Sequence, residues 1–169
     1  MRILGIDPGT ATTGCGVIES SNGKDFKVIK FCWISTDKKV AANDRLKSIH
    51  KQMGDLIKET SPDIVAIEKL FFFNNAKTAM GVSEAIGVLK LAATQKGLEV
   101  IDYAPARIKS IVAGNGRAKK DEMKKAVRKL LGVRSPNKKK THFDDVADAL
   151  GIAVCHAKLC LAKEVKTKK

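Results

Sequence analysis

Aromatic side chains are scarce in this 169-residue chain, where Phe, Tyr and Trp together make up 5% of the residues. Long apolar runs are missing as well: no stretch of about 18 apolar residues occurs, so the sequence predicts no membrane-spanning helix. The first residues lack the charged and apolar segments of a secretory signal. We therefore expect a cytoplasmic protein that does not bind membranes.

Cysteine occurs only four times, at Cys15, Cys32, Cys155 and Cys160, and no two of these residues form a CxxC pair. Cys155, His156 and Cys160 are close in sequence, yet tetrahedral zinc needs a fourth ligand that no neighbouring residue supplies. Because the sequence carries no export signal, we expect the four thiols to be reduced and mostly buried.

Acidic residues are outnumbered: 18 Asp and Glu stand against 32 Lys and Arg, which gives a net charge of +14. The excess is concentrated between residues 117 and 140, where eleven basic residues minus two acidic ones leave +9. A charge of this sign and density predicts a polyanionic partner, and nucleic acid is the first choice.

Apolar patterns predict five strands, at residues 3–7, 14–19, 27–35, 64–68 and 98–103. The first three are joined by short turns and should form an antiparallel meander, whereas the last two are separated by helical patterns and should pair in parallel. Helical spacing marks residues 46–60, about 75–96, 123–131 and about 142–162. We predict an α/β fold, a mixed five-stranded sheet flanked by helices. It forms one domain over residues 1–162, followed by a basic, disordered tail at 163–169.

Carboxylates stand at the ends of two predicted strands. Asp7 ends the first strand and Glu68 ends the fourth. If these strands are parallel neighbours, both side chains emerge at one edge of the sheet, where ligands bind in open α/β folds. The last helix adds Asp145 and Asp148, which share a face because they are three residues apart. The sequence thus predicts a cluster of four acids.

Asp144 also lies near that helix face, so spacing alone does not choose between Asp144 and Asp145. Capping distinguishes them, because Thr141-x-x-Asp144 has the form of a capping box at the start of the helix. We therefore assign Asp144 a structural role.

Four carboxylates packed together repel one another and raise each other's pKa, so the cluster is unfavourable unless it binds cations. Mg²⁺ prefers carboxylate oxygens and water, and two such ions about 4 Å apart can activate water and stabilise the leaving oxygen in phosphodiester hydrolysis. We predict two Mg²⁺ ions, with Mn²⁺ as a substitute, at Asp7, Glu68, Asp145 and Asp148. The cations would also reduce the repulsion between the acidic pocket and DNA.

Four motifs, "GIDPGTATTGCGVI", "AIEKLFFFNN", "YAPARIKSIVAGNGRAKK" and "DDVADALGIA", follow one another within residues 2–157. Together they resemble the bacterial RuvC Holliday junction resolvases, which have the RNase H-like fold. The family's four metal-binding acids fall on Asp7, Glu68, Asp145 and Asp148. Its third acid position holds Asp or His, so Asp145 fits.

The resemblance implies a homodimer that binds a four-way DNA junction and nicks two strands of like polarity at symmetric positions, leaving 5′-phosphate and 3′-hydroxyl ends. It also implies that RuvA and RuvB, the branch-migration proteins, are partners. One local signal bears on the dimer. Gly81, Ala85 and Gly87 lie among apolar residues of the helix at about 75–96, so another backbone could approach it closely. Packing of this helix on its own sheet explains the same pattern.

The resemblance also suggests DNA contacts. Basic family residues near the scissile strand match Lys109 and Lys120, and an aromatic residue three positions after the strand-four Glu matches Phe71. We expect Phe71 to stack on or wedge against a base at the crossover. For Phe72 and Phe73 we favour packing in the core or in a dimer contact.

Three alternatives remain open. Another RNase H-like nuclease, of YqgF type or a ribonuclease H, would share the fold, although Phe71, the Asp145-x-x-Asp148 helix and the basic segment favour the junction enzyme. A non-catalytic junction-binding protein would keep the acids without using them. "GIDPGTATTG" by itself also looks like the phosphate loop of actin-like ATPases and sugar kinases. Those proteins are far longer and carry a second such hairpin, which this sequence lacks.

Overall fold

The structure is a computed structural model that describes residues 1–70, 76–133 and 143–167, leaving out the side chains of residues 76–78, 143–145 and 162–167. Five strands form one sheet in the order β3-β2-β1-β4-β5. In chain order the elements are β1 (Arg2–Asp7), β2 (Thr12–Glu19), β3 (Lys27–Ser35), α1 (Ala42–Thr60), β4 (Ile64–Glu68), α2 (Ala76–Thr94), β5 (Glu99–Tyr103), α3 (Pro105–Ala113), α4 (Lys120–Leu131) and α5 (Phe143–Thr167).

The strand pairing is mixed, as predicted. β2 pairs antiparallel with β1 and β3, while β4 pairs in parallel with β1 and β5. Helices cover both faces of the sheet, which explains why β1 and β4 are almost continuously apolar in sequence. The predicted mixed five-stranded sheet flanked by helices is confirmed. Within the described ranges no helix is both long and apolar enough to cross a membrane.

Side chains alternate between the two faces of each strand, so the core is divided between them. α1 and α2 cover one face, where Leu4 of β1 and Val65 of β4 are buried. α5 covers the opposite face, where Ile3 and Ala66 are buried, and α3 and α4 pack against α5. The odd-numbered residues of β1 and the even-numbered residues of β4 therefore face α5.

Two glycines allow α5 to lie directly on the backbone of the sheet. A Cβ atom on Gly5 of β1 would be 2.1 Å from the carbonyl oxygen of Ala149, and one on Gly16 of β2 would be 2.8 Å from the side chain of Leu150. Any larger residue at either position would push the helix away. These contacts fix the distance between α5 and the ends of β1 and β4.

The structure differs from the sequence-based expectation at two helices. α3 was not predicted, although Pro105 begins it and Gly114 ends it with a left-handed φ of 79°. α5 continues to Thr167, beyond the predicted end at Ala162, so helix occupies most of the segment predicted to be a tail. The division into a domain and a tail otherwise stays a prediction. The proposed helix cap at Thr141 lies outside the described residues.

Candidate active site

The two strand-end acids lie beside each other on the α5 face. The last pair of the parallel β1–β4 ladder is Ile6 with Ile67, so Asp7 and Glu68 are the next residue on each strand. Alternation then directs both carboxylates toward α5, because Ile3 and Ala66 already face that helix. The structure thus places Asp7 and Glu68 at one edge of the sheet, as the sequence suggested.

α5 brings a third acid to this edge. Asp148 and Glu68 line one pocket of about 210 Å³ together with Lys109 and Lys120. Asp148 directly precedes Ala149, whose carbonyl oxygen approaches Gly5, so the close packing of α5 on β1 determines where this carboxylate stands. Two acids and two lysines that are far apart in sequence therefore share one cavity.

The remaining wall of the pocket is apolar. It consists of Pro105 and Ile108 from α3 and Met123 from α4. Sequence reasoning did not assign these three residues to the site, because it did not predict α3, which carries two of them and packs against α4, the helix that carries the third. The available signal was the Pro105 start and the Ile108–Val112 spacing, which mark a short helix beside the basic segment. An apolar wall lowers the local dielectric constant and strengthens the electrostatic interactions of the charged groups beside it.

The pKa of Glu68 reflects this environment. Burial of the carboxyl group, followed by repulsion from Asp148, raises the pKa of Glu68 to about 7, while Lys109 acts in the opposite direction. A carboxylate in this state is unfavourable, since a pKa above its usual range means that the folded protein disfavours the charged form. A bound cation would remove that penalty. The direction of the shift is the one expected for a buried acid beside a second acid.

Lys120 makes an ion pair inside the pocket, with its Nζ atom 3.5 Å from Oδ2 of Asp148. Lys120 is the first residue of α4, and the backbone N–H of Lys119 donates a 2.6 Å hydrogen bond to Oε2 of Glu122, which holds the start of the helix. The helix start therefore directs Lys120 into the site. Lys109 reaches the same pocket from α3.

Two of the sequence-predicted site residues cannot be located at side-chain level. The backbone of Asp145 lies in α5, three residues before Asp148 and hence on a neighbouring position of the same helix face, but its side chain is outside the described part. Phe71 lies outside the described residues altogether. Asp7, Glu68, Lys109, Lys120 and Asp148 are brought to the edge of the sheet by the fold.

The fit of a metal ion can be judged from the donors in the pocket. Among the side chains that the structure describes, no group of three or more His, Cys, Asp or Glu is close enough to hold a metal ion. Glu68 and Asp148 nevertheless supply carboxylate oxygens, the donors that hard divalent cations prefer. Burial and repulsion from Asp148 raise the pKa of Glu68 in spite of Lys109, so a cation next to this carboxylate would be favourable. The donor chemistry therefore fits a hard divalent cation.

Cys155, His156 and Cys160 do not contribute to this edge. The His156 ring is buried, and its Nδ1 atom lies 2.9 Å from the Tyr103 hydroxyl and 3.9 Å from Sγ of Cys160. Burial lowers the pKa of His156. The buried imidazole links the end of β5 to α5, a structural contact.

The sheet is mixed, in the order β3-β2-β1-β4-β5, and acids stand at two adjoining strand ends and on the helix that crosses them. This is the arrangement of RNase H-like nucleases. The sequence matches the family model described as crossover junction endodeoxyribonuclease RuvC over residues 3–156. The chain belongs to the RuvC family.

Individual relatives agree with this assignment. The RuvC protein of Caldicellulosiruptor saccharolyticus is 45% identical over 156 residues, which cover 92% of each chain. The structure of Thermus thermophilus RuvC in complex with a Holliday junction substrate matches with a TM-score of 0.87 at 30% identity, covering 96% of each chain. The yeast mitochondrial Holliday junction resolvase Ydc2 has a TM-score of 0.73 at 13% identity, over 98% of this chain and 82% of its own, a likeness of fold alone.

Proposed function

We propose that this protein is an endonuclease that resolves four-way DNA junctions by paired, symmetric nicks. The observation that carries this proposal is the pocket in which Glu68 and Asp148 face Lys109 and Lys120. Carboxylates that can hold cations lie next to lysines that can hold phosphate, which is the combination that phosphodiester hydrolysis needs. Family membership, and the relative whose structure holds a junction substrate, support DNA junctions as the substrate.

Membership in the family implies dependence on a divalent metal. We propose Mg²⁺, two ions per site, with Mn²⁺ as a substitute, held by Asp7, Glu68, Asp145 and Asp148. Such cations supply a Lewis acid that polarises the attacking water and the leaving oxygen. The protein's own contribution is to hold Glu68 and Asp148 on rigid elements and to exclude bulk water along the wall of Pro105, Ile108 and Met123. Cleavage would leave 5′-phosphate and 3′-hydroxyl ends.

DNA contacts are assigned to the basic groups around the pocket. Lys109 on α3 and Lys120 on α4 would hold the phosphates next to the scissile bond. Phe71 follows Glu68 by three residues and would stack on or wedge against a base at the crossover, a contact worth roughly 1 to 3 kcal/mol. The net charge of +14 supports a substrate with many phosphates.

Paired nicks require two active sites, so we propose a homodimer. The small residues of α2 do not form one surface: Ala85 is buried, and a Cβ on Gly81 would lie 3.3 Å from Thr10. A different face of α2 is open, where Met80 and Leu91 are 67% and 50% exposed and a Cβ on Gly87 would meet nothing within 4 Å. These three positions align because they are seven and eleven residues apart. This open α2 face is the proposed dimer contact.

RuvA and RuvB are the proposed partners, on the strength of the family resemblance. We also propose a cytoplasmic location. The four cysteines are free thiols, which is the expected state in a reducing compartment.

The deciding experiment is a denaturing-gel assay on a mobile four-way junction labelled on each strand in turn, with Mg²⁺ or EDTA. A linear duplex and the Glu68→Gln variant serve as controls. We expect paired nicks at symmetric positions, confined to the junction and lost with EDTA or with Glu68→Gln. Binding without cleavage under Mg²⁺ and Mn²⁺ would indicate a non-catalytic protein, and cleavage of RNA–DNA hybrids instead would indicate a ribonuclease.

A further inference from the structure

The ion pair between Lys120 and Asp148 lies across the pocket assigned to catalysis. Nζ of Lys120 is 3.5 Å from Oδ2 of Asp148, and the two side chains are 54% and 28% exposed. The lysine therefore reaches inward from the rim, where solvent and a DNA backbone have access, to a carboxylate at the edge of the sheet. Both groups are placed in the catalytic machinery, yet in this arrangement they bind each other.

The neighbouring acid, Glu68, also shares the pocket with a lysine. Lys109 opposes the rise in the pKa of Glu68 that burial and Asp148 cause. Glu68, Lys109, Lys120 and Asp148 all line the same pocket. Lys120 thus pairs with Asp148, and Lys109 offsets part of the unfavourable charge of Glu68, so that the protein provides some of the counter-charge where a cation is expected.

An ammonium group is a poorer occupant of such a site than a divalent metal ion. It carries a single charge and donates hydrogen bonds, whereas a divalent ion carries twice the charge and binds oxygen directly. Lysine also has a flexible four-carbon side chain, so Lys120 can leave Asp148 without movement of α4. A phosphate oxygen at the rim would be its next partner.

We propose that Lys120 exchanges partners during assembly of the active complex: it pairs with Asp148 in the metal-free protein and turns to a DNA phosphate when Asp148 binds a divalent cation. This inference rests on the proposed function and adds to it a coupling between the two ligands. Lys120 competes with the metal when DNA is absent and favours DNA binding when the metal is present. Metal and DNA then bind with positive cooperativity, since each ligand removes a competitor of the other.

The first test measures metal binding without DNA. Mn²⁺ is titrated into wild-type protein and the Lys120→Gln variant, and free Mn²⁺ is followed by electron paramagnetic resonance. A partly exposed ion pair contributes modestly, so we expect Lys120→Gln to bind Mn²⁺ about two- to fivefold more tightly than wild type. Lys120→Arg, which keeps the charge, should bind like wild type. Lys125→Gln removes an exposed positive charge from another part of α4 and should change Mn²⁺ affinity less than Lys120→Gln does.

The second test measures the salt dependence of junction binding, with Ca²⁺ or EDTA, on junctions shown by denaturing gel to remain uncut. Each phosphate contact by a lysine contributes about 0.9 to the slope of log K against log salt. We expect Lys120→Gln to reduce that slope by about 0.9 with Ca²⁺ and by about zero with EDTA, when Lys120 is held by Asp148. A slope change that is the same in both conditions would overturn the exchange.

Different results would disprove the nuclease proposal and the Lys120 exchange. If wild-type protein binds Mn²⁺ and cuts junctions but Lys120→Gln binds Mn²⁺ no more tightly, the exchange is wrong and the nuclease assignment stands. If wild-type protein neither binds Mn²⁺ nor cuts junctions, both are wrong. Far-ultraviolet circular dichroism of each variant confirms folding, which is expected because the Lys120 side chain is 54% exposed.

Discussion

Gly5 of β1 and Ala149 of α5 are in direct backbone contact, with room for no more than a hydrogen atom between them: a Cβ on Gly5 would be 2.1 Å from the Ala149 carbonyl oxygen. Ala149 follows Asp148, and Gly5 precedes Asp7 by two residues. A packing contact in the core therefore determines how far apart the acids of the sheet and the helix stand.

We predict that Gly5→Ala lowers the free energy of unfolding by about 3 kcal/mol or more, because the added methyl group meets backbone atoms that cannot move without displacing α5. Urea denaturation measures the change. Gly54→Ala is the matched control: a Cβ there meets nothing within 4 Å, and Ala is the better residue in helix α1, so the free energy of unfolding should rise by about 0.5 to 1 kcal/mol. Equal effects of the two substitutions would contradict the close approach.

The raised pKa of Glu68 leads to a prediction about pH. Its pKa of about 7 lies above the ordinary glutamate value of 4.5, so the folded state binds the proton more strongly than the unfolded state. The resulting stabilisation is complete below pH 4.5 and is lost as the pH rises through 7. Glu68→Gln cannot ionise and should keep this stabilisation at all pH values. At pH 8 its free energy of unfolding should exceed that of wild type by about 2 kcal/mol after allowance for solvent screening.

The measurement is thermal unfolding of both proteins in EDTA at pH 5 and pH 8. The variant should exceed wild type at pH 8 and approach it at pH 5. Mg²⁺ should raise the melting temperature of wild type and have a smaller effect on Glu68→Gln, because a ligand of the folded state stabilises it. A variant that is less stable than wild type at pH 8 would show that Glu68 is compensated in the metal-free protein.

Cys32 and Cys15 face each other across the β2–β3 ladder and should differ in reactivity. Interaction with the Cys15 thiol is the main reason why the pKa of Cys32 falls to about 7, and the same interaction together with burial raises the pKa of Cys15. Since the thiolate is the nucleophile, iodoacetamide should modify Cys32 with a midpoint near pH 7 and leave Cys15 intact. Mass spectrometry of digests follows both residues. Cys15→Ala should move the Cys32 midpoint to higher pH, and an unchanged midpoint would exclude the Cys15 thiol as the cause of the lowered pKa.

The open α2 face yields a prediction about assembly. Leu91→Glu places a charge in the proposed dimer contact, and burying it without a partner costs far more than a dimer interface gains at one position. We expect the variant to sediment as a monomer at micromolar concentration and to lose coordinated second-strand nicking. Val40→Glu, at a position that is 44% exposed and lies between β3 and α1, should sediment like wild type. If both variants remain dimers, the dimer interface does not lie on the open α2 face.

The sequence by itself determined most of the architecture. Each strand pattern was apolar enough to be recognised, and Asp7 and Glu68 were identified as strand-end acids that would meet at one edge if β1 and β4 were parallel neighbours, as they are. The bounds of β3 and β4 agree with the prediction. Local signals also sufficed for α4, which Gly132 ends with a φ of 65°. Such features are encoded within a few residues of one another, so no knowledge of distant contacts was needed.

Only the tertiary structure decided what those residues do together. α3 is short, and its two buried residues, Ile108 and Val112, become part of the core only because α3 packs against α5 and α4. Which residues of α2 face inward, as Ala85 does, and which face outward, as Met80 does, depends on how the helix is rotated on its sheet. The pairing of Lys120 with Asp148 joins residues 28 positions apart through the packing of two helices. Charge balance in a pocket depends on distances of a few ångströms between separate elements, and the linear sequence does not contain those distances.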